Sequence, residues 1–116
     1  MKPIRFWSDT LDTLRQLPDP VRRDTGYALD RIQRGETPPH SKPVPSVGKG
    51  AHEIRVSHIG EAYRTFYVAR FPEAVYVFYV VHKKARKGIA LPKHQADLAA
   101  RRYREIADWR ASRMPR

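Results

Sequence analysis

The spacing of apolar residues predicts a short strand and a helical hairpin in the first third of the chain. Residues 2–6 alternate as a strand does. The first helix begins at Ser8, whose hydroxyl is a favourable cap, and it stops at Pro18. The second helix has Asp19 as its cap and ends at Gly35. The apolar stripes of the two helices are formed by Leu11, Leu14, Leu17, Val21, Ala28, Leu29 and Ile32.

Strand patterns dominate the middle of the chain. Residues 51–57 and 63–70 are predicted to be strands with two different faces. In the first, His52, Ile54 and Val56 alternate with Glu53, Arg55 and Ser57; in the second, Tyr63, Thr65 and Tyr67 alternate with Arg64, Phe66 and Val68. Residues 74–81 are apolar throughout, as expected of a strand covered on both faces. Residues 71–73 join the last two strands as a hairpin. The proline-rich stretch 35–50 is predicted to be a loop.

A basic loop over residues 83–91 and a closing helix over residues 92–110 complete the pattern, with a frayed tail at 111–116. The order β-α-α-β-β-β-α places a helical hairpin on one side of an antiparallel sheet, which is an α+β fold. A chain of 116 residues is long enough for one domain and too short for two. We therefore predict a single domain over residues 1–116.

The net charge of the chain indicates the class of partner that it binds. Twenty-three Lys and Arg residues face twelve Asp and Glu residues, for a net charge of +11. Such a surplus favours a polyanionic partner, above all nucleic acid. The absence of cysteine excludes disulfides and thiol catalysis. The longest apolar run falls far short of the roughly 20 residues that span a bilayer, so we expect a cytoplasmic protein without a membrane partner.

Two arginines in mid-strand are the first candidates for a site. Arg55 and Arg64 sit on adjacent predicted strands, where an unpaired charge is costly and an acid or a bound anion is expected. Glu53, two residues before Arg55, is the obvious acidic partner, and such a pair would only order the sheet. Against that alternative, more cations converge on the strand ends than nearby acids neutralise. The further candidates are His82, Lys83 and Lys84, with Arg86, Lys87 and the ring of Tyr67 for RNA binding.

These residues are chemically sufficient for RNA cleavage without a metal. The 2′-hydroxyl must lose a proton, the phosphorus must be stabilised, and the 5′-oxygen must gain a proton. Cations serve the second need, and His, Glu, Lys or Tyr side chains serve the others. The five histidines share no metal-ligand spacing and no glycine-rich phosphate loop is present, so we expect no metal and no cofactor. The same residues would also suit a protein that only binds RNA.

The ordered combination of five segments resembles the RelE/ParE toxin superfamily, in particular its phage-derived HigB-type branch. The segments are residues 53–56, 63–67, 76–81, 83–84 and 87–92, followed by a closing helix. Arg55, Arg64, Lys83 and Lys84 match the basic positions of that family, and Glu53 matches its acid. Two departures are Val81, where an aromatic residue is common, and Leu91, where threonine is usual. His82 stands at a position that the family does not fix.

The resemblance implies a toxin of a type II toxin–antitoxin pair that cleaves mRNA on the translating ribosome. A cognate antitoxin, typically a small helix-turn-helix protein, would hold it inactive. Two alternatives from other classes stay open. One is a toxin without enzymatic activity that binds DNA gyrase, and the other is an inactive module that binds RNA or the ribosome.

Overall fold

A computed structural model describes residues 1–84 and 91–113, with Lys83 and Lys84 described by their backbone alone. The predicted α+β class and element order are confirmed, with one strand added inside the predicted loop 35–50. The elements are β1 (Ile4–Phe6), α1 (Thr10–Arg15), α2 (Asp19–Gln33), β2 (Ser41–Pro43), β3 (Ala51–His58), β4 (Glu61–Val68), β5 (Val75–Lys84) and α3 (Lys93–Arg113).

The described strands form one five-stranded sheet in the order β1-β5-β4-β3-β2. The pairs β2–β3, β3–β4 and β4–β5 are antiparallel, as predicted. The pair β1–β5 is parallel, and the long connection that parallel strands require contains the helical hairpin and the strands β2, β3 and β4. The sheet is therefore mostly antiparallel.

Helices cover both faces of the sheet, and each face has its own core. The helical hairpin α1–α2 packs on one face, which we call the hairpin face, and α3 packs on the other, the α3 face. The central position of β5 between these layers explains its unbroken apolar run, since Val75, Tyr76, Val77 and Phe78 are all fully buried. The prediction of a strand covered on both sides is confirmed.

A β-bulge in β5 changes which face its later residues reach. Phe66 pairs with Tyr79 while its neighbour Tyr67 pairs with Val77, so Phe78 is an extra residue in β5. Phe78 and Tyr79 consequently both join the core of the α3 face. In the first half of β5 the odd-numbered residues face the helical hairpin, whereas from Val80 onward the even-numbered residues do.

The helix starts differ by one or two residues from the prediction. Ser8 is not the cap of α1: it has a φ of 58°, and Asp9 occupies the cap position without a side-chain hydrogen bond. The cap of α2 is Pro18, which makes Asp19 its first residue. Gly35 follows the end of α2 with a φ of 87°, the left-handed conformation that glycine adopts without strain and that commonly ends a helix.

The ends of the last elements also extend beyond the predicted limits. β5 continues to Lys84, so the first two residues of the predicted basic loop 83–91 belong to a strand. α3 continues to Arg113, so the predicted tail 111–116 is helical as far as that residue. None of the described helices combines the length and the apolar character needed to cross a membrane.

Candidate nucleic-acid interface

A cleft of about 480 Å³ opens on the α3 face of the sheet. Its charged floor comes from β3 and β4, because strand alternation and register bring Glu53, Arg55 and Arg64 to the same side. We call this space the cleft. The rest of its described lining comes from β2, β4, the segment after β2, and the start of α3, with Lys42, Pro43, Val44, Ser46, Val47, Phe66, Leu91 and Ala96.

Arg55 lies in the cleft with part of its donor capacity unused. Its Nε is fully buried and makes no hydrogen bond to any described residue. A buried guanidinium donor without a partner costs free energy, on the order of 1–3 kcal/mol for a polar group. An anion held by the same guanidinium would supply charge compensation that the described protein groups leave incomplete.

Glu53 is a buried carboxyl surrounded by cations. Its Oε2 lies 3.9 Å from Nε of Arg64, and both side chains are 13% exposed. That separation is too long for a hydrogen bond, so the contact is electrostatic only. Burial raises the pKa of Glu53 above its ordinary value, although Arg55 and Lys42 act in the opposite direction. The acid suggested as the partner of Arg55 is thus shared with Arg64, and its proton is held more tightly than in water.

Lys42 is a cleft residue that the sequence did not reveal. It lies on β2 directly opposite Glu53 in the register and lines the cleft beside Arg55. Its only signal in the sequence is a lysine next to Pro43 in a proline-rich stretch, which gives no alternation to identify a strand. The described lining of the cleft therefore carries three cations against one carboxyl group.

The loop after β2 forms one wall of the cleft, and side chains of α3 and of the segment after β4 hold it in place. The carbonyl oxygen of Lys49 accepts hydrogen bonds from the Tyr103 hydroxyl at 2.6 Å and from Arg70 Nε at 2.9 Å. Gly48 packs flat on the Tyr103 ring, where a Cβ atom would lie 2.5 Å from ring carbons. α3 and the end of β4 thereby position Val44 and Val47 at the cleft.

His82 lies on the hairpin face, away from the cleft. Its ring stacks on Tyr63 with centroids 4.5 Å apart and planes 8° from parallel. Its Nε2 lies 2.9 Å from Oε2 of Glu61, and the same oxygen accepts a hydrogen bond from the Tyr63 hydroxyl at 3.2 Å. The sheet separates His82 from Glu53, so these two predicted proton-transfer groups do not share one site.

Tyr67 also belongs to the hairpin face. It is 3% exposed, stacks on the His52 ring, and shares a hydrogen bond with the Ser41 hydroxyl. Burial raises the pKa of its phenol, and the Ser41 contact opposes that change. The ring is part of the core beneath the helical hairpin and contributes nothing to the cleft.

The remaining predicted site residues lie at or beyond the end of β5. The backbones of Lys83 and Lys84 pair with Ala62 and Glu61, two and three positions beyond the pair of Arg64 with Val81. Arg86 and Lys87 lie outside the described residues. Their roles stay predictions. Within residues 1–84 and 91–113, no group of three His, Cys, Asp or Glu side chains is placed to hold a metal ion.

Comparison with known proteins places most of the chain in one family. Residues 12–104 match the family described as "Phage derived protein Gp49-like (DUF891)". The match begins within α1, includes α2 and every described strand except β1, and extends into α3. It therefore covers the helical hairpin as well as the strand segments that carry the cleft. No curated protein matches the sequence.

Proposed function

Since the chain belongs to the phage-derived Gp49-like family, which is part of the RelE/HigB toxin-like group, we propose that it is the toxin of a type II toxin–antitoxin pair. The proposed activity is cleavage of mRNA in the cytoplasm, on the translating ribosome and without a metal. The observation that carries this proposal is a buried carboxyl group beside two arginines, at the base of an open cleft.

Each charged residue of the cleft has a role in the proposed reaction. Arg55 and Arg64 bind the scissile phosphate, and Lys42 neutralises the neighbouring backbone. Guanidinium groups suit this task because their fork makes two charge-assisted hydrogen bonds to one phosphate. Developing charge on the phosphorus is stabilised by the same donors, and such preorganised electrostatics is usually the largest contribution to catalysis.

Glu53 is the proposed proton-transfer group. A carboxyl whose pKa is raised exchanges its proton nearer to neutral pH, which improves a general acid or base. The attacking 2′-hydroxyl belongs to the RNA itself, and its oxygen replaces the 5′-oxygen on phosphorus. The 2′-oxygen releases its proton to a protein group, and a protein group donates a proton to the 5′-oxygen. His82 and Tyr67 are outside this site, while Lys83 and Lys84 are proposed to contact the RNA near it.

The proposed antitoxin would be a small helix-turn-helix protein with an acidic segment. A net charge of +11 favours such a partner through electrostatic complementarity. Co-production of the antitoxin should relieve the growth arrest that the toxin causes.

Induced expression tests the proposed reaction. We expect growth arrest with fragmented mRNA and unchanged DNA supercoiling for the parent protein, and neither effect for Arg64→Ala. Arg104→Ala, at an exposed arginine of α3, is the matched charge control and should behave like the parent. Altered supercoiling with intact mRNA would instead identify a gyrase-binding toxin. Normal growth at high soluble expression would contradict a toxin of either kind.

A further inference from the structure

A second concave surface lies between α2 and the edge of the sheet. This space, which we call the α2 groove, has a volume of about 650 Å³, within the range of small-molecule sites. Its described lining comes from α2, the segment before β2, and β3, with Asp24, Tyr27, Ala28, Arg31, Pro38, Pro39, His40, Lys42, Ile54, Arg55, Val56 and Ser57. Of these residues, only Lys42 and Arg55 have a role in the proposed cleavage site.

The groove exists because β2 is too short to cover its neighbour. β2 pairs with β3 only as far as Ile54, and beyond that point the Arg55 amide donates to the His40 carbonyl at 3.1 Å. Ile54 and Val56 therefore form an apolar floor next to the prolines that precede β2. An apolar floor with a polar rim suits an aromatic ring.

Tyr27 presents an aromatic ring at this groove. It is 67% exposed, which makes it one of four large hydrophobic residues that are exposed in the described part of the chain. The Arg31 guanidinium lies 5.9 Å from the ring centroid, and it is held there by an ion pair with Glu36 at 3.2 Å. An exposed tyrosine beside an arginine is the combination on which unpaired bases stack in proteins that bind single strands.

The α2 groove and the cleft share two lining residues. Lys42 and Arg55 line both spaces, so an RNA strand that occupied both faces of the sheet edge would pass these two cations. The described lining of the groove carries Arg31 as a further cation and Asp24 as its acid. This excess of positive charge favours a phosphate backbone over an apolar peptide along the strand edge.

We infer that the α2 groove is a second RNA subsite, in which Tyr27 stacks on an unpaired base of the strand that the cleft holds. The chemical class of the ligand is single-stranded RNA, because a base inside a duplex has no free face to stack. Lys42 and Arg55 bind the phosphates that connect this base to the scissile position. The inference rests on the proposed function and adds a determinant of which RNA is bound.

Two RNA lengths separate this inference from the proposed function. Fluorescence anisotropy would use labelled single-stranded RNA of about eight nucleotides, long enough for both spaces, and a trinucleotide that reaches the cleft alone. We expect Tyr27→Ala to bind the longer RNA about 5- to 10-fold more weakly, since loss of one stacked base has an effect of that order. Tyr27→Phe keeps the ring and should bind like the parent, and the loss in Tyr27→Ala should be confined to the longer RNA.

Arg64→Ala tests the cleft alone and should weaken binding of both RNAs. If it does so while Tyr27→Ala binds the longer RNA like the parent, the second subsite is wrong and the proposed function stands. If Arg64→Ala binds both RNAs like the parent, the proposed function itself fails. If Tyr27→Ala keeps full RNA affinity and loses affinity for the antitoxin, the groove binds a peptide and the inference is overturned. Thermal melts of each variant confirm that the compared proteins are folded.

Discussion

Arg55 and Arg64 lie directly opposite each other on β3 and β4. The Arg55 amide points away from β4, toward the His40 carbonyl, so this is a non-hydrogen-bonded pair, the kind that brings side chains closest. Like charges directly opposite each other destabilise a sheet. The fold holds these two guanidinium groups together with Glu53 as a shared acid, and a phosphate bound between them would add further charge compensation.

Replacing Arg64 should separate activity from stability. We expect Arg64→Ala to lower the rate of RNA cleavage on the order of 100- to 1000-fold, because a transition-state donor is lost. Arg64→Lys should lose most of the activity as well, since a lysine cannot form the two parallel hydrogen bonds of a guanidinium. Thermal melts and a cleavage assay on the same two variants check this. A folded Arg64→Ala variant as toxic as the parent would show that the site is misplaced.

Glu53→Gln should remove activity without loss of stability at neutral pH. The pKa of Glu53 is raised by burial, so the folded state disfavours its ionised form and loses stability as pH rises through the raised pKa. Glutamine carries no charge, and its variant should melt at or above the parent temperature at neutral pH. Below the ordinary carboxyl pKa of 4.5 the advantage should disappear. A lower melting temperature at neutral pH would mean that attraction to the nearby cations dominates.

Glu73 should show the opposite pH dependence, because Arg110 stabilises its charge. Nε and Nη2 of Arg110 donate to the two carboxylate oxygens at 2.5 and 2.9 Å, and this contact lowers the pKa of Glu73 to about 2. The stabilisation is complete above the ordinary value of 4.5 and is lost as pH falls from there through about 2. Glu73→Gln should therefore reduce the free energy of unfolding by about 1–3 kcal/mol at neutral pH.

Thermal melts between acidic and neutral pH test whether the contact with Arg110 lowers the pKa of Glu73. The difference between Glu73→Gln and the parent should narrow as pH falls below 4.5. Asp97→Asn is the matched control, because Asp97 pairs with Lys93 at 3.1 Å on the surface, where an ion pair contributes little. Equal losses in the two variants would contradict a special role for Glu73.

Two glycine-to-alanine changes should have opposite effects. Gly48→Ala places a methyl group 2.5 Å from the Tyr103 ring, so the loop or α3 must shift, and we expect a loss of about 1–3 kcal/mol in stability. Gly26 lies in α2 with nothing within 4 Å of an added Cβ, and Gly26→Ala should stabilise the helix by about 0.5–1 kcal/mol. Chemical denaturation measures both. RNA cleavage should fall only in Gly48→Ala, because its loop forms a wall of the cleft.

The sequence predicts the elements of this fold well where periodicity is strong. The helical hairpin, the paired strands and the closing helix follow from apolar spacing, and the structure confirms them. β2 is not predicted, because its three residues Ser41–Pro43 show no alternation of apolar and polar side chains and include no β-branched residue. Parallel pairing of β1 with β5 depends on contacts between residues about seventy positions apart, which local patterns do not contain.

The bulge in β5 explains why the composition of the candidate site was only partly predictable. In a strand that alternated regularly from Tyr76 onward, with no bulge at Phe78, His82 would lie on the same face as Tyr76 and would reach the α3 face with Glu53. The bulge reverses the parity and turns His82 to the hairpin face, where it stacks on Tyr63. The sequence of β5 does not indicate this bulge. Both faces of the strand are covered by apolar cores, so an apolar side chain is accepted on either face and the pattern looks the same with or without an extra residue.

The anchoring of Lys49 by Tyr103 has a consequence for the order of events during synthesis. Residues 53–64, which carry the charged floor of the cleft, leave the ribosome long before residue 103 does. Until then the loop before β3 lacks the ring on which Gly48 packs and the hydroxyl that binds the Lys49 carbonyl. A nascent chain therefore exposes Arg55 and Arg64 without the wall that shapes the cleft, and the cleft is complete only when α3 has docked.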